Sequence, residues 1–515
     1  MPHDTEDMIQ LLLSTNKEQE QTIVDLRATI KELRSTIANL NETIDELKRK
    51  IFGTSSEKIR RPDQEEETVT VVKEHTRTRR KKSVRADLYE ALPIKEISCD
   101  VPPEERICPD CGSPMEHLGY KFVREELRIT PAKVVRVHYM QETLMCPVCR
   151  QEDETMIVEA KTPTPLLAHS PASPDMVAMV MYQKSFLHLP FYRQSKDWME
   201  KGVPVPRETA AHWYNYCSLE YLSPVYEVMH QELLAREILH ADEVPCQVLH
   251  EEGKTATSKS YMWIYLSGTD GKPPIILYDY RLGRSGDYPI EFLHGFTGML
   301  QCDGYSAYGR IEDVVLVCCL AHCRRKFFEA VPKARQKKLK LLDINSEQEL
   351  AEPPQEERKQ KRQETEPAIW NEFWTWLETL EPAGGSKLEK AVNYAFNHKE
   401  TLMNYLLDGR CEISNNAAER RAKTYVTGRK NFLFHDTADG ATASAIVLSL
   451  IETAKANNLN IYHYLYTLLL YMPDYKNEPA GIKQLLPWSD FIKERCTGII
   501  DIEKVRPEER GNLNI

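Results

Sequence analysis

Ile238-Leu239-His240-Ala241-Asp242-Glu243-Val244 opens the stretch that decides the fold. Residues 170–240 read as helix, and here the pattern changes to strands. Residues 238–249, 261–266 and 275–280 are rich in β-branched and aromatic side chains, the composition of a pleated, packed surface. The last two runs are joined by Ser267-Gly268-Thr269-Asp270-Gly271-Lys272, a good hairpin connection. A further strand ends at Cys302-Asp303-Gly304, another covers 314–319, and a helix follows from His322. Strands with helices after them predict an α/β core.

Three acids stand out by position. Asp242 lies within the first core strand, Asp303 where a later strand stops at a glycine, and Glu419 in the first turns of a helix opened by Ser414-Asn415-Asn416. Phosphoryl transfer by two metals needs carboxylates converging from different elements, so that two ions about 3.5–4 Å apart clamp the attacking and leaving oxygens. Two strand carboxylates and one helix carboxylate meet that need. Structural roles compete: an Asp at a strand end caps turns, and Glu419 stands three residues after Asn416, which is capping-box spacing. Glu243 belongs to the opposite strand face from Asp242. Around Glu419 the charge has one sign: Arg420, Arg421, Lys423, Arg429 and Lys430. Arg324-Arg325-Lys326 after His322 is a second such cluster, and arginine grips phosphate bidentately.

Working toward the N-terminus, residues 165–235 form a helical region. Ser173-Pro174-Asp175 reads as N-cap, proline and acidic first turn of a helix to about Lys184. A second helix fits residues 190–201, and a third starts near Arg207. A helix-turn-helix that enters the DNA major groove and plain helical packing both stay open. Within 99–152, Cys108-Pro109-Asp110-Cys111 and Cys146-Pro147-Val148-Cys149 form two CxxC pairs, with 34 residues between Cys111 and Cys146. Two such turns present four thiolates to one structural Zn²⁺, as in a zinc ribbon. Residues 53–98 are a charged linker whose run Arg79-Arg80-Lys81-Lys82 suits phosphate backbone. In residues 1–52, Ile23, Leu26, Ile30, Leu33, Ile37, Leu40, Ile44, Leu47 and Ile51 alternate three- and four-residue steps. That is an a/d seam with Ile at a and Leu at d, which predicts a parallel dimeric coiled coil.

The totals agree with a multidomain globular chain: 515 residues, 41% apolar and 28% charged. The net charge of −11 argues against a uniformly basic nucleic-acid binder but leaves room for local basic faces. No apolar run approaches the roughly 20 residues that span a bilayer, and no secretory signal is evident, so no membrane partner and a cytoplasmic location are expected. The 13 cysteines are then expected as thiols or metal ligands.

Several stretches together resemble the transposases of the insertion sequence 66 family. They are His240-Ala241-Asp242-Glu243, Cys302-Asp303-Gly304-Tyr305-Ser306-Ala307-Tyr308, residues 319–327 from Cys319 to Phe327, Asn415-Asn416-Ala417-Ala418-Glu419-Arg420, and Gly428-Arg429-Lys430-Asn431-Phe432-Leu433-Phe434. Phe52-Gly53 after the heptads, the paired CxxC ribbon and Leu486-Pro487-Trp488 are also similar to the family's order of parts. The resemblance implies an RNase H-like catalytic core in two parts, 236–330 and 411–456, with an all-helical insertion at 331–410 and a helical tail at 457–515. It implies a bacterial DDE transposase whose triad Asp242, Asp303 and Glu419 binds two Mg²⁺ ions, Mn²⁺ being the alternative. Cys319 and His322 match the family's Cys-x-x-His element near the active site. The partners implied are double-stranded DNA, as element ends and target, a second copy of the chain or a higher oligomer, and accessory proteins of the same element. Two positions depart from the family pattern: Ser414 stands where Asp is usual, and Leu320 where Trp is usual. A non-catalytic dimeric DNA-binding regulator and an RNase H-like nuclease are the rival functions.

Overall fold

The computed structural model describes residues 164–331 and 354–498, with short stretches at 113–114, 134, 136–145 and 157–160. The heptad segment, the run Arg79, Arg80, Lys81 and Lys82, and the cysteines Cys108, Cys111, Cys146 and Cys149 lie outside the described residues.

A small antiparallel pair, β1 (Thr143–Met145) and β2 (Ile157–Glu159), comes first. The helical layer follows. Helix α1 (Pro174–Met181) starts on its proline and runs into a π-helical turn at Tyr182–Phe186. Helix α2 (Phe191–Glu200) ends before Gly202, whose φ of 77° a side chain would strain. Helix α3 (Arg207–Cys217) passes through a second π-helical turn, Ser218–Leu222, into α4 (Ser223–Leu234). These helices bury Val177, Met181, Trp198, Trp213, Tyr214, Val225 and Met229 on one side.

The sheet then forms from β3 (Ile238–Cys246), β5 (Ser260–Ser267), β6 (Ile276–Arg281), β7 (Met299–Cys302) and β8 (Val315–Cys318), with the short β4 (Val248–His250) set apart. Helix α5 (Asp287–Phe292) links β6 to β7, and α6 (Leu320–Ala330) follows β8. Residues 354–407 are helical: α7 (Gln355–Glu378), α8 (Lys387–Asn397) and α9 (Lys399–Met403). Helix α10 (Asn416–Phe432) leads through β9 (His435–Thr437) to α11 (Ala438–Ala456), α12 (Ile461–Tyr475), α13 (Pro479–Gln484) and α14 (Asp490–Cys496). No helix among the described residues is long and apolar enough to cross a membrane.

The five strands lie in the order β6-β5-β3-β7-β8. The first three are antiparallel neighbours, and β3, β7 and β8 run parallel. Because strand side chains alternate faces, each strand serves two cores. Leu239, Ala241, Trp263, Tyr265, Leu277 and Leu300 join the helical layer and α12. Met262, Ile264, Leu266, Ile276 and Tyr278 pack against Ala418, Ala422 and Tyr425 of α10 and Ala445 and Leu448 of α11. The helices α7–α9 make a third core with Val317 and Cys318 of β8.

The sequence expectation of a strand at 238–249 resolves into two. β3 bends into β4, which pairs in parallel with β9, a segment carrying no strand signature of its own. The first core helix begins at Leu320 and not at His322.

An edge strand presents unpaired amides and carbonyls, and α11 answers that need for β6. The Ile276 N–H donates to Thr453 Oγ1 at 2.9 Å, and that hydroxyl donates to Ile276 O at 2.9 Å. The Tyr278 N–H donates to Ser449 Oγ at 2.7 Å. Thr453 is fully buried, so Thr453→Val, which keeps the shape and removes the hydroxyl, leaves Ile276 unpaired. We expect a loss of about 1–3 kcal/mol in denaturant unfolding; an unchanged midpoint would show that the edge does not need this cap.

Candidate active site

Asp242 sits in the middle of β3, opposite Ile264 of β5. Alternation turns it toward the face that α10 covers and turns Glu243 to the other. There Glu243 is buried, accepting from Tyr308 Oη at 2.6 Å and Arg284 Nε at 2.7 Å. In the parallel pairing of β3 with β7 the last partners are His240 and Gln301. Two residues further along each chain stand Asp242 and Asp303. Asp303 follows the end of β7 and turns the chain, its Oδ1 accepting the Tyr305 N–H at 2.9 Å. Gly304 leaves room there for two side chains. A Cβ would meet Tyr394 Oη at 2.5 Å and His398 Nε2 at 2.8 Å, because α8 closes over this turn.

Glu419 lies in the first turn of α10. The helix opens at Asn416, and Asn415 is its cap residue, yet Asn415 spends its side chain elsewhere. Its Nδ2–H donates to Ala241 O at 2.7 Å and its Oδ1 accepts from His240 Nδ1 at 3.1 Å. Asn416 is exposed and makes no cap bond, so the capping-box account of Glu419 has no counterpart in the fold. The Glu419 Oε1 is buried with no hydrogen-bond partner among the described residues. His322 Nε2 and Arg325 Nη2 each stand 3.8 Å from it. Cys319 is buried, and its sulfur accepts the Asn415 N–H at 3.1 Å.

Electrostatics ties these acids together. Burial above all, then the charges of Glu243, Asp303 and Glu419, pushes the Asp242 carboxyl up to about 7, against a single bond from the Glu243 N–H. Among the described residues no three His, Cys, Asp or Glu side chains form a ready-made metal cage. The donors nevertheless suit a hard divalent cation: a carboxylate oxygen with no hydrogen-bond partner among the described residues, and an acid whose carboxyl is raised by burial and by neighbouring negative charge.

The cations divide. Arg324, Arg325, Lys326, Arg420, Lys423 and Lys430 are exposed. Lys326 lies over the Tyr394 ring, 4.6 Å from its centroid. Arg421 instead pairs with the buried carboxylate of Glu452 at 2.5 Å, and Arg429 donates to Pro245 O. Those two hold α10 to the protein. Sequence reasoning passed over Asn415, Gln301 and Arg284. Only the second asparagine in Asn415-Asn416 offered a signal, since a helix needs one cap residue.

Residues 169–443, more than half of the chain, match the Transposase IS66 family. The chain belongs to that family. Residues 105–150 match the zinc-finger binding domain of transposase IS66, 449–488 the IS66 C-terminal element, and 39–97 the family described as Transposase C of IS166 homeodomain. Among relatives, uncharacterized protein y4qI of Sinorhizobium fredii is 30% identical over 65% of this chain and 65% of its own length. Two further uncharacterized proteins of the same organism, y4hP and y4jD, are each 26% identical over 79% and 76% of this chain and 77% and 79% of their own.

For this IS66 family member the raised Asp242 pKa has a pH consequence. The folded protein holds a proton on Asp242 that the unfolded chain releases near 3.8. That contribution to stability is complete below the lower value and is lost as pH rises through about 7. Without divalent ions, wild type is expected to lose more melting temperature than Asp242→Asn between pH 5 and pH 8. Parallel curves for the two proteins would remove the shifted carboxyl.

Proposed function

We propose that this chain is an active DNA transposase of the DDE type, cutting the ends of its element and joining them to target DNA. The β6-β5-β3-β7-β8 sheet with α10 and α11 is taken as the RNase H-like core that the sequence resemblance implies. The single observation that supports the reading is the raised Asp242 carboxyl, to which Asp303 and Glu419 contribute after burial and Glu243, so that acids distant in the chain act on one group.

In this reading Asp242, Asp303 and Glu419 hold two Mg²⁺ ions, or Mn²⁺ in their place. Bound there, such ions would supply Lewis-acid activation of the attacking oxygen and neutralise charge on the leaving one. The protein's own residues do the rest. Arg325 and His322 flank the Glu419 carboxylate, and the exposed Arg324, Lys326, Arg420, Lys423 and Lys430 offer phosphate contacts around it. In joining, a freed 3′-hydroxyl attacks a target phosphodiester: a bond to phosphorus forms as the target's own 3′ oxygen leaves, and no covalent enzyme adduct is needed. The heptads would pair subunits so that two DNA ends are held together. The zinc ribbon and Arg79-Arg80-Lys81-Lys82 would bind those ends.

Strand transfer on DNA bearing the element's own ends, with accessory proteins supplied, tests this directly. Asp242→Asn and Glu419→Gln are expected to abolish joining, by 10³-fold or more on the order of a lost electrostatic catalyst, while binding of end DNA persists. Cleavage without joining in wild type favours a nuclease, and binding with neither reaction favours a regulator.

Zinc is tested separately. Elemental analysis of the full chain is expected to find one tightly held zinc per subunit, and Cys111→Ser to release it and weaken end-DNA binding. Full zinc content in that variant rules out the Cys108, Cys111, Cys146 and Cys149 site.

A further inference from the structure

The segment 411–415 delivers Glu419 to a sheet whose other two acids come from more than a hundred residues upstream, and its anchoring is unusual. Gln301 donates from Nε2 to Glu412 O at 2.5 Å and accepts the Glu412 N–H at 2.9 Å through Oε1. A side-chain amide thus replaces a strand's pair of ladder bonds. The Leu320 N–H donates to Ile413 O at 2.9 Å, and the Asn415 N–H to Cys319 Sγ at 3.1 Å. Asn415 closes the set by gripping Ala241 O and His240 Nδ1. The amide orientation is fixed, because Ala241 O can only accept. It follows that His240 carries its proton on Nδ1.

These contacts form one rung. His240 and Gln301 are register partners on β3 and β7. Gln301, His240 and Asn415 are each about 1–2% exposed. Each acid stands one structural period beyond a braced residue. Asp242 is two residues after His240 on the same strand face, Asp303 two after Gln301, and Glu419 four after Asn415 along the helix. A slip of the brace would therefore displace one carboxylate against the other two.

We propose that Asn415 and Gln301 are positioning residues that set the spacing of the Asp242, Asp303 and Glu419 carboxylates for divalent-ion binding. The inference rests on the metal-site reading above. Neither amide touches the reacting atoms. They act by fixing where Glu419 sits relative to two aspartates that repel it, a placement that side-chain entropy and charge repulsion would otherwise loosen.

The test uses the DNA-free full chain and the ion-induced rise in melting temperature across a Mn²⁺ titration, with Mg²⁺ dependence of joining as a second readout. Asn415→Asp and Gln301→Glu each keep size but set a carboxylate oxygen against a carbonyl where an N–H had donated. Asp242→Asn identifies the part of the shift that belongs to this site. Both amide variants are expected to need about tenfold or more Mn²⁺ for half-maximal stabilisation, with end-DNA binding retained. Wild-type Mn²⁺ curves displaced only by a constant loss of stability would mean that the amides merely pack, and would overturn the inference. Should Asn415→Asp fail to fold, Gln301→Glu decides alone. A wild-type protein with no Asp242-dependent shift removes the metal site itself, and this inference with it.

Discussion

Burial costs the Asp242 carboxylate the hydration that water would give it, and the charges of Glu243, Asp303 and Glu419 add to the cost. The rest of the α/β core can be understood as the structure needed to keep it there. Asp242 records the strain most directly: its carboxyl is pushed up to about 7, first by burial and then by its acidic neighbours. Glu243, one residue on, lies on the other face and is raised as well, by burial first, while its partners Tyr308 and Arg284 pull the other way. Two adjacent acids on one strand are thus both raised by burial but differ in partners: among the described residues Glu243 has side-chain donors, Asp242 a backbone N–H. Glu419 Oε1 has no hydrogen-bond partner among the described residues, and His322 Nε2 and Arg325 Nη2 stand 3.8 Å from it.

Holding such a group demands rigidity beneath it, which comes from a sheet buried on both faces. The helical layer with α12 takes one face, and α10 with α11 the other. α11 is consequently buried almost all round, from Ala445 through Ala454, and its hydroxyls are not incidental polar groups in that interior. Ser449 and Thr453 complete the hydrogen bonding of the edge strand β6. Arg421 reaching Glu452 joins α10 to the same helix, so the element that carries Glu419 is fastened at its flank as well as at its start.

Much of this was legible in the sequence. The β-branched runs gave the strands, the Ser267–Lys272 connection its hairpin, and Pro174 the start of α1. Placing Asp242 within a strand and Asp303 after one needed only local pattern, as did assigning Glu243 to the far face. What stayed hidden depends on partners distant in the chain. β9 is three residues with no strand composition, made a strand by β4 almost two hundred residues earlier. Asn416 reads as the cap because caps are local, whereas the N-cap residue is Asn415, and its side-chain partners, Ala241 and His240, are 174 and 175 residues away. Charge runs misled in the same manner: Arg421 and Arg429 read as part of a basic surface, but Glu452 and the Pro245 carbonyl claim them.

The helices between Asp303 and Glu419 could be regarded as a spacer, since 115 residues separate the two acids. The packing argues otherwise. Trp370, Trp374 and Leu377 of α7 and Val392 and Ala395 of α8 share a core with Val317 and Cys318 of β8, so these helices are fixed to the sheet itself. From there Tyr394 of α8 and His398 at its end lie so close over Gly304 that a Cβ there would have to push their side chains aside. The turn that presents Asp303 is therefore shaped from above by a helix that the chain builds only after it, just as Asp242 is braced by Asn415 from later still. Both aspartates take their final placement from residues downstream. Strand pairing alone therefore does not fix these aspartates: α8 and the 411–415 segment, both later in the chain, pack against the residues that flank them.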